Sequence, residues 1–534
     1  MPLKSLLYRS IAALGVAGVS ALGAFATGAR ADTAAPIGAY TTKGAYSFVS
    51  APRLHPPKLR TTVKTQTSKL AKGYFLLDTF PNLTVTGPMT GMGGPLMTDS
   101  KLQPVWSYPI GTDVASTNLS EQTYNGKPVL LWWTGVVTNT GASTTGTVNI
   151  VDEHYRKVAA IQAAAPWVIS VHDAVINGGN LWVTVYRNVP GQDLTPYGGQ
   201  ASGTVYDSGV QEYSIKTGKL LYTWDAFNPG GTANVPLSEA EQPAPGPLAP
   251  AGQPWDAYHI NSVQVLPGNQ ILVSMRNTWA AYLINTKTGK PVWTLGGKAS
   301  SFNVATNAAF SWQHDVRMLA HNQVSLFNDN CCMITGPGVF AKPNGASGGL
   351  VLNLNTKSHT ASLANSYTHK NPVLDPAFLG SMNVLPNGNA LVGWGSNPYF
   401  SEYSKSGQLL LDALWPGKDL SYRAGFTGDW VGTPYFPPSG AARRVKGGKV
   451  TVYASWDGST LTTAWKVLGG PNTKHMKVLA TKAKSGFETA IKIPKAAKTY
   501  TVQAFGAKGH LLRSSKAFKL PGPKSLPTPP PGSY

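Results

Sequence analysis

The sequence has 534 residues, of which 57 are glycine, 41 are proline and 42% are hydrophobic, a composition typical of many short strands joined by turns. Its net charge is +21, yet residues 443–534 hold 17 lysines and arginines against two acids, Asp457 and Glu488, and Lys4, Arg9 and Arg30 add three more charges, so residues 32–442 are nearly neutral. No aromatic and basic recognition motif accompanies these charges, which argues against nucleic-acid binding.

The N-terminal residues have the pattern of a signal peptide. Lys4 and Arg9 precede an apolar run over residues 11–26, and Ala29-Arg30-Ala31 follows as a small-residue cleavage site. We expect cleavage of residues 1–31 and a secreted, periplasmic or cell-envelope protein. A membrane anchor is the alternative, but the run falls short of the roughly 20 residues that a span needs. Residues 32–70 form an N-terminal extension.

Four hairpin repeats follow. Turns at residues 177–180, 267–269 and 387–389 each join two apolar strands, and a weaker copy turns at His321-Asn322, where a histidine replaces a glycine. A second hairpin follows each turn, which makes four-stranded units. The sequence predicts an all-β fold with a six-bladed β-propeller over residues 71–440, its sixth blade assembled from the first strands after Gly73 and residues 422–438. A parallel β-solenoid is disfavoured by the irregular repeat lengths.

Two long stretches, residues 188–203 and 228–254, are predicted to be loops of the second blade, either lids or solvated ornaments. Residues 445–520 predict a small basic β-sandwich resembling a fibronectin type III module, and the Pro-rich residues 521–534 a disordered tail. The basic module could bind an anionic cell-envelope polymer or lipid head groups, or it could be a solvated face. Cys331 and Cys332 are adjacent, and either a strained disulfide or free thiols are compatible with that spacing.

Three histidines open the first strand of three consecutive units. His172, His259 and His314 each lie just before an apolar strand, so their side chains are expected to converge on one axial pocket. A lone histidine is more often structural, but three in register favour a functional site. Arg276 and Arg317 could bring guanidinium groups to the pocket, where they would match the oxygens of sulfate or phosphate.

Other ligands are less well supported. The three histidines could bind zinc with Asp173 or Asp315 orienting them, but no His-x-x-x-His helix or carboxylate triad accompanies them. Residues 328–330 could bind calcium, although an ordinary Asx turn explains them better. The sequence therefore predicts no metal cofactor. It predicts no nucleotide cofactor either, because it contains no Gly-rich phosphate loop opening a helix. His369, between Tyr367 and Pro372, is a reserve candidate expected to be solvated.

An ordered set of motifs resembles the bacterial arylsulfotransferases over about residues 70–440. It comprises Tyr258-His259-Ile260-Asn261-Ser262, Ser274-Met275-Arg276, Gln313-His314-Asp315, Ser325-Leu326-Phe327-Asn328, Gly393-Trp394-Gly395 and Ser421-Tyr422-Arg423.

The resemblance implies a six-bladed propeller and a ping-pong reaction, independent of PAPS, that moves sulfate from an aryl sulfate donor to a phenolic acceptor. It implies that His314 is the nucleophile, and that His259 and Arg276, assisted by Asn261, hold the sulfuryl oxygens. His172 would carry a proton at the phenolic oxygen, while Arg317 and Arg423 are further substrate-binding candidates. A neutral imidazole suits this chemistry as nucleophile and leaving group. The alternative is a non-catalytic cell-surface propeller that binds an anionic ligand or scaffolds a partner.

Overall fold

The computed structural model describes residues 39–520 except 83, 84, 86, 138–142, 247–252, 331, 332, 337, 338, 342–345 and 446–448. Over these residues the secondary structure consists of strands and short 3-10 helices, with no α-helix. None of the described helices is long and apolar enough to span a membrane. The predicted signal peptide, the Pro-rich tail and the pair Cys331 and Cys332 lie outside the described residues.

Six sheets of four or five strands follow one another along the chain. Sheet 1 contains Ala115–Tyr124, Lys127–Gly135, Thr147–Asp152 and Lys157–Gln162. Sheet 2 contains Val168–Asn177, Asn180–Gln192, Gly203–Ser214 and Leu220–Asp225, with Pro254–Trp255 at its third strand. Sheet 3 contains Ile260–Leu266, Gln270–Met275, Ala280–Asn285 and Pro291–Gly296.

The remaining three sheets share this antiparallel plan. Sheet 4 contains His314–Leu319, Gln323–Asn328, Gly348–Asn355 and Thr360–Tyr367, with Asn303–Val304 at its edge. Sheet 5 contains Ser381–Val384, Ala390–Gly393, Tyr399–Tyr403 and Leu409–Leu414, and the N-terminal extension adds Arg60–Thr61. Sheet 6 contains Tyr74–Pro81, Gly94–Thr98, Pro104–Ser107, Asp419–Leu420 and Gly425–Thr427.

Short elements connect these sheets. Two strand pairs lie outside them, Tyr40–Thr41 with Met89–Thr90 and Met333–Gly336 with Val339–Ala341. The 3-10 helices are Thr67–Lys69, Thr195–Tyr197, Leu237–Glu239, Arg276–Thr278, Thr306–Ala308, Ala320–Asn322 and Ala507–Gly509. The hairpin turns have the positive φ that the sequence predicts, and His321 adopts it too, with φ 60°.

Sheet 6 is built from two distant parts of the chain, as predicted. The strand Tyr74–Pro81 pairs antiparallel with Asp419–Leu420 and Gly425–Thr427 near the other end of the six sheets. Each sheet also shares a hydrophobic cluster with the next, and the sixth shares one with the first, in which Trp106 contacts Trp132 with ring centroids 5.9 Å apart. The succession of sheets therefore closes on itself.

Side chains of the first strands connect neighbouring sheets. Asp78 of sheet 6 accepts from the backbone N–H of Leu119 in sheet 1 at 2.6 Å, and Asp173 of sheet 2 accepts from that of Val263 in sheet 3 at 2.8 Å. Asn261 of sheet 3 donates to the carbonyl of Gln313, next to sheet 4, at 2.7 Å. These bonds fix the first strands relative to one another, and these strands carry the candidate site.

Both segments predicted as long loops are more ordered than the sequence suggests. In residues 188–203, the second strand of sheet 2 extends to Gln192 and pairs there with the third strand, and residues 193–202 form the connecting loop with the 3-10 helix Thr195–Tyr197. In residues 228–254, Val235, Leu237 and Ala240 are buried against sheets 2 and 3. The first predicted loop is therefore shorter than expected, because it begins after Gln192, and the described part of the second is packed onto the sheets.

The basic C-terminal region forms two sheets around a shared core. One contains Ser439–Arg444, Val450–Ser455 and Glu488–Ile493; the other contains Ala464–Gly470, Lys477–Ala483, Thr499–Phe505, Leu511–Ser514 and Phe518–Lys519. Trp465, Ile491 and Tyr500 lie in this core. The domain packs on the rest of the chain: the hydroxyl of Tyr155 donates to the carbonyl of Gly458 at 2.7 Å.

Candidate active site

Local distortions of the first strands present the candidate residues. The pairing in sheet 2 is interrupted between Ile169 and Ala174, around His172, and the pairing in sheet 4 between His314 and Arg317. His259, just before sheet 3, has φ 56°. Bulges and left-handed backbone at non-glycine residues redirect side chains and are concentrated at functional sites. The sequence signal of three equivalent histidines thus corresponds to three equivalent irregularities.

His172 and His259 are in direct contact. Their Nε2 atoms are 3.2 Å apart, and the rings meet edge to face with centroids 4.9 Å apart. His172 Nδ1 is 2.5 Å from Ser170 Oγ, whereas His259 Nδ1 hydrogen-bonds to the carboxylate of Asp256. The two imidazoles are therefore each held at Nδ1 and meet at Nε2.

Tyr422 lies close to both His172 and His314. The Tyr422 ring centroid is 5.8 Å from that of His172 and 6.5 Å from that of His314. His314 Nδ1 is 2.6 Å from Asp329 Oδ2, and the two side chains are 1% and 0% exposed. The structure thus brings together the three histidines that the sequence predicts to converge.

Arg276 lies at the end of the hairpin that begins after His259, as predicted. Its guanidinium stacks on Trp312 at 4.4 Å and donates to the carbonyl of Ala377 at 2.9 Å and to Asn277 at 3.1 Å. Its Nε is buried without a protein acceptor among the described residues. The stacking fixes the plane of the guanidinium, and Nε is available to a ligand.

Arg317 and Arg423 are bound to the two carboxylates of the first strands. Arg317 donates to Asp315 at 2.9 Å, to the carbonyl of Val263 at 2.8 Å and to Asp173 at 2.8 Å, so each of its nitrogens has an acceptor. Arg423 donates to Asp173 at 2.7 Å and to the carbonyl of Asn261 at 2.9 Å, and its Nε is buried without an acceptor among the described residues. Arg317 therefore holds the two carboxylates in place. Arg423 also holds Asp173, and its Nε remains as a hydrogen-bond donor without a protein acceptor in the described part of the chain.

Asn261 and Tyr422 complete the site. Asn261 is fully buried, and its Oδ1 has no partner among the described residues, nor does the hydroxyl of Tyr422. Tyr186 covers the histidine pair, with its ring centroid 5.7 Å from His172, and Tyr206 stacks on Tyr186 at 4.6 Å. Aromatic surface beside unpaired buried polar atoms is suited to an aryl group that carries a polar substituent.

The electrostatic environment keeps two of the histidines neutral. Burial lowers the pKa of His314 well below its ordinary value, and its neighbours Arg276, His259 and Arg423 lower it further. Burial likewise lowers the pKa of His172, followed by His259 and His314. Burial would raise the pKa of Asp173, but Arg317 and Arg423 hold it below the ordinary value. The site therefore combines neutral imidazoles with fixed guanidinium charge.

The structure adds residues that the sequence did not single out. Asp329, interpreted as part of an Asx turn, faces His314 because His314 pairs with Phe327 across the hairpin and Asp329 follows two residues later. Asp256 precedes His259 by three residues. The described residues contain no group of three or more His, Cys, Asp or Glu side chains arranged to hold a metal ion.

His369 lies away from this site and is not solvated. Its side chain is 1% exposed, with Nε2 3.1 Å from Asp412 and Nδ1 2.6 Å from the carbonyl of Pro372. Ser401 also donates to Asp412, at 2.6 Å. The prediction that His369 is solvated is wrong, because the connecting segment folds back onto sheet 5 and buries its side chain.

The solved structures similar to this chain share little sequence with it. A protein of unknown function from Bacteroides caccae is 12% identical, covers 67% of this chain and 100% of its own, and has a TM-score of 0.38. Regucalcin, a calcium-binding protein from Agrobacterium tumefaciens, is 9% identical over 71% and 92%, with a TM-score of 0.30. An α-L-arabinanase from Penicillium chrysogenum is 8% identical over 64% and 88%, with a TM-score of 0.32. Similarities this low say nothing about activity.

No curated protein sequence matches the chain. A family model does: the one described as arylsulfotransferase (ASST) matches residues 120–415. This range is more than half of the chain and contains His172, His259, Arg276 and His314, the four residues that the sequence predicts to be catalytic. The chain belongs to the arylsulfotransferase family.

Proposed function

We propose that this protein transfers a sulfuryl group from an aryl sulfate ester to a phenol through a sulfated histidine, without PAPS. The observation that carries the proposal is the meeting of three imidazoles from consecutive sheets beside Arg276, with His172 and His259 at 3.2 Å. Nucleophilic catalysis divides one difficult transfer into two easier ones, and fixed donors hold the charge of the sulfuryl oxygens throughout.

The residue roles follow from their surroundings. His314 is the nucleophile, because Asp329 holds its Nδ1 and no side-chain bond occupies its Nε2 among the described residues, while burial lowers its pKa. Arg276 and Asn261 hold the sulfuryl oxygens, and His172, paired with His259, carries a proton at the phenolic oxygen. Arg423 adds positive charge at the floor of the site. Arg317, with all its nitrogens occupied, acts by holding Asp173 in place.

The test is transfer by the purified protein from p-nitrophenyl sulfate to a phenol, followed by mass spectrometry of the protein mixed with donor alone. We expect nitrophenolate release that depends on the acceptor and a covalent adduct with the mass of one sulfuryl group on His314. His314→Asn should abolish the adduct. A folded protein that forms no adduct and transfers nothing with several acceptors would refute the proposal.

The alternative is a propeller that binds an anionic ligand without turnover. The packed segment around Val235 and the aromatic cover at Tyr186 are compatible with a closed binding pocket. Equilibrium binding of an aryl sulfate with no consumption of the ligand over hours would favour this alternative.

We further propose that the six sheets are the blades of a β-propeller with the site at its axis. The shared clusters between consecutive sheets, including the sixth and the first, support this arrangement. The two-sheet C-terminal domain is proposed to be fibronectin type III-like. Small-angle scattering tests the arrangement: a radius of gyration near that of a disc with one attached module is expected, and an elongated solenoid would contradict it.

The basic C-terminal domain is proposed to hold the exported enzyme against an anionic cell-envelope polymer. Its two acids face the rest of the chain: Asp457 accepts from the backbone of Ser107 at 3.1 Å and Glu488 accepts from Ser50 at 2.6 Å. Among the described residues of this domain no lysine or arginine forms an ion pair with a carboxylate. The outer surface is therefore cationic and uncompensated.

Retention on a polyphosphate column tests this proposal. The full-length chain should elute at a salt concentration that falls when Lys474, Lys477 and Lys508 are replaced by glutamate, since exposed charges are screened by salt. Elution that is unchanged by these substitutions would contradict it. Export is tested separately, by sequencing the N-terminus of the protein recovered outside the cytoplasm, where Asp32 is the expected first residue.

A further inference from the structure

Each of the three imidazoles is held through the same ring nitrogen, but by different chemistry. Nδ1 of His314 meets Asp329, Nδ1 of His259 meets Asp256, and Nδ1 of His172 meets the hydroxyl of Ser170. A carboxylate can only accept a hydrogen bond, whereas a hydroxyl can donate or accept. The second ring nitrogen of a histidine is set by the bond that the first one makes. The holding groups therefore determine which histidines offer a lone pair at Nε2.

When both rings are neutral, one proton arrangement satisfies the pair His172 and His259. Asp256 takes the Nδ1 proton of His259, which leaves a lone pair on its Nε2. The 3.2 Å contact between the two Nε2 atoms then needs a donor, so the proton lies on Nε2 of His172. Nδ1 of His172 must in turn accept, and the Ser170 hydroxyl can donate to it while its oxygen accepts from the backbone N–H of His172 at 3.1 Å.

His314 is also held by a carboxylate at Nδ1, but it has no histidine partner at Nε2 among the described residues. Burial raises the pKa of Asp329 well above its ordinary value, and the charge of Arg276 opposes this rise. In its ionised form Asp329 accepts a hydrogen bond from Nδ1 of His314, and no other side-chain bond occupies Nε2 in the described part of the chain. The second carboxylate oxygen of Asp329 is buried without a partner, and its backbone carbonyl is bonded by Ser347 at 2.5 Å. This clamp aims a lone pair from Nε2 into the site.

We propose that Asp329 and Asp256 are positioning residues that give two histidines of the same tautomer opposite tasks: Asp329 makes His314 the nucleophile, and Asp256 makes His259 the proton acceptor of a pair with His172. This inference rests on the proposed sulfuryl transfer. In the first half-reaction the bond between Nε2 of His314 and sulfur forms and the aryl oxygen–sulfur bond breaks. The departing oxygen takes a proton from the pair, which the pair had taken from solvent when the anionic donor bound.

The second half-reaction restores the resting state. The acceptor phenol gives its proton to the pair as its oxygen attacks sulfur, the nitrogen–sulfur bond breaks, and the pair returns this proton to solvent when the product leaves. No proton passes through His314, whose Nδ1 proton stays on the bond to Asp329 throughout. Asp329 thereby stabilises the positive ring that sulfation creates, and this stabilisation develops only in the reaction.

Single-turnover measurements on two amide variants separate the two tasks. Asp329→Asn can donate to Nδ1 and so favours the other tautomer of His314, for which we expect sulfo-enzyme formation to slow by roughly 10³- to 10⁴-fold. Asp256→Asn should keep adduct formation from p-nitrophenyl sulfate, whose leaving group needs little protonation, within about tenfold of wild type. Its transfer to weakly acidic phenols should fall by about 10²-fold, the contribution of general acid–base catalysis.

Asp412→Asn is the matched control, because it alters a buried histidine–carboxylate pair of the same kind in sheet 5. It should leave adduct formation per folded molecule unchanged. Adduct formation within threefold of wild type in Asp329→Asn, or the same pattern of loss in both amide variants, would overturn the proposal.

Nitrogen-15 NMR of the histidines in the ligand-free wild-type protein provides a readout that needs no variant to fold. His314 and His259 should show protonated Nδ1 and unprotonated Nε2, and His172 the reverse. The reverse tautomer at His314 would overturn the inference. A wild-type protein that forms no sulfo-enzyme, in contrast, would refute the proposed function, and the NMR result would still decide the tautomers.

Discussion

Asp78 offers a quantitative test of the connection between sheets. It is fully buried where sheet 6 meets sheet 1, accepts from the backbone of Leu119 at 2.6 Å and is bonded by Ser116, and burial raises its pKa from 3.8 to about 6. Because the folded value lies above the unfolded one, its contribution to stability is present at low pH and is lost as the pH rises through about 6.

Asp78→Asn keeps an oxygen for Leu119 and removes the titration. The rise in the pKa of Asp78 from 3.8 to about 6 corresponds to a total loss of about 3 kcal/mol of folding stability on ionisation. About 2 kcal/mol of this loss occurs between about pH 4 and pH 8. The free energy of unfolding of wild type, minus that of the variant, should therefore decrease by about 2 kcal/mol over that range. Urea titrations at several pH values measure this difference.

A matched control removes one exposed negative charge. Asp429→Asn should shift the unfolding free energy by no more than a few tenths of a kcal/mol, without the same pH trend. If the difference in unfolding free energy between wild type and Asp78→Asn is constant, or grows with pH, then ionisation of the buried Asp78 carboxyl does not destabilise the fold and the explanation is refuted.

Three further changes test the site and its surroundings. Arg276→Lys should lower kcat/KM for p-nitrophenyl sulfate by roughly 10- to 100-fold, because lysine cannot keep both the stacking on Trp312 and a donor at Nε, and a bond to a charged group contributes about 1.5–3 kcal/mol; an unchanged value would exclude Arg276 from sulfate binding. The rate of adduct formation should persist below the ordinary histidine pKa, since burial and Arg276 lower the pKa of His314, and a loss of rate centred at or above that value in rapid-quench experiments would contradict this. His369→Ala should reduce the free energy of unfolding by about 1–3 kcal/mol in urea, because it removes two buried hydrogen bonds, while the activity of the folded fraction stays the same; full stability would show that the bond to Asp412 contributes nothing.

Much of the strand pattern could be predicted because local turn chemistry specifies it. Glycine and asparagine at the hairpin turns set where each strand ends, so the members of sheets 2, 3 and 5 follow from composition. The register of the histidines followed from the same turns. The loop predicted over residues 188–203 is shorter in the structure, because pairing across the hairpin keeps Asn188 to Gln192 in a strand despite the proline and glycine there.

The partners of the site residues were out of reach of local pattern. Arg423 meets Asp173 across 250 positions of sequence, a contact that exists only when the last sheet closes on the first. The position of Asp329 could have been predicted, because the hairpin register places it on the same face as His314. The run of Asn and Asp around it predicts a turn instead, since such runs are usually turns. His369 was judged from its neighbours in sequence, and its burial depends on sheet 5.

The assembly of sheet 6 from both ends of the first 427 residues has a consequence for biosynthesis. The strand Tyr74–Pro81 is among the first to leave the ribosome, but its partner Gly425–Thr427 arrives some 340 residues later. Until then that early strand has an unpaired edge, and Asp173 lacks its ion pair with Arg423. Pairings so distant in sequence are slow and expose aggregation-prone edges while they wait. Nascent chains truncated before residue 423 should therefore be devoid of turnover, and the interval before closure is the period when this protein most needs a chaperone.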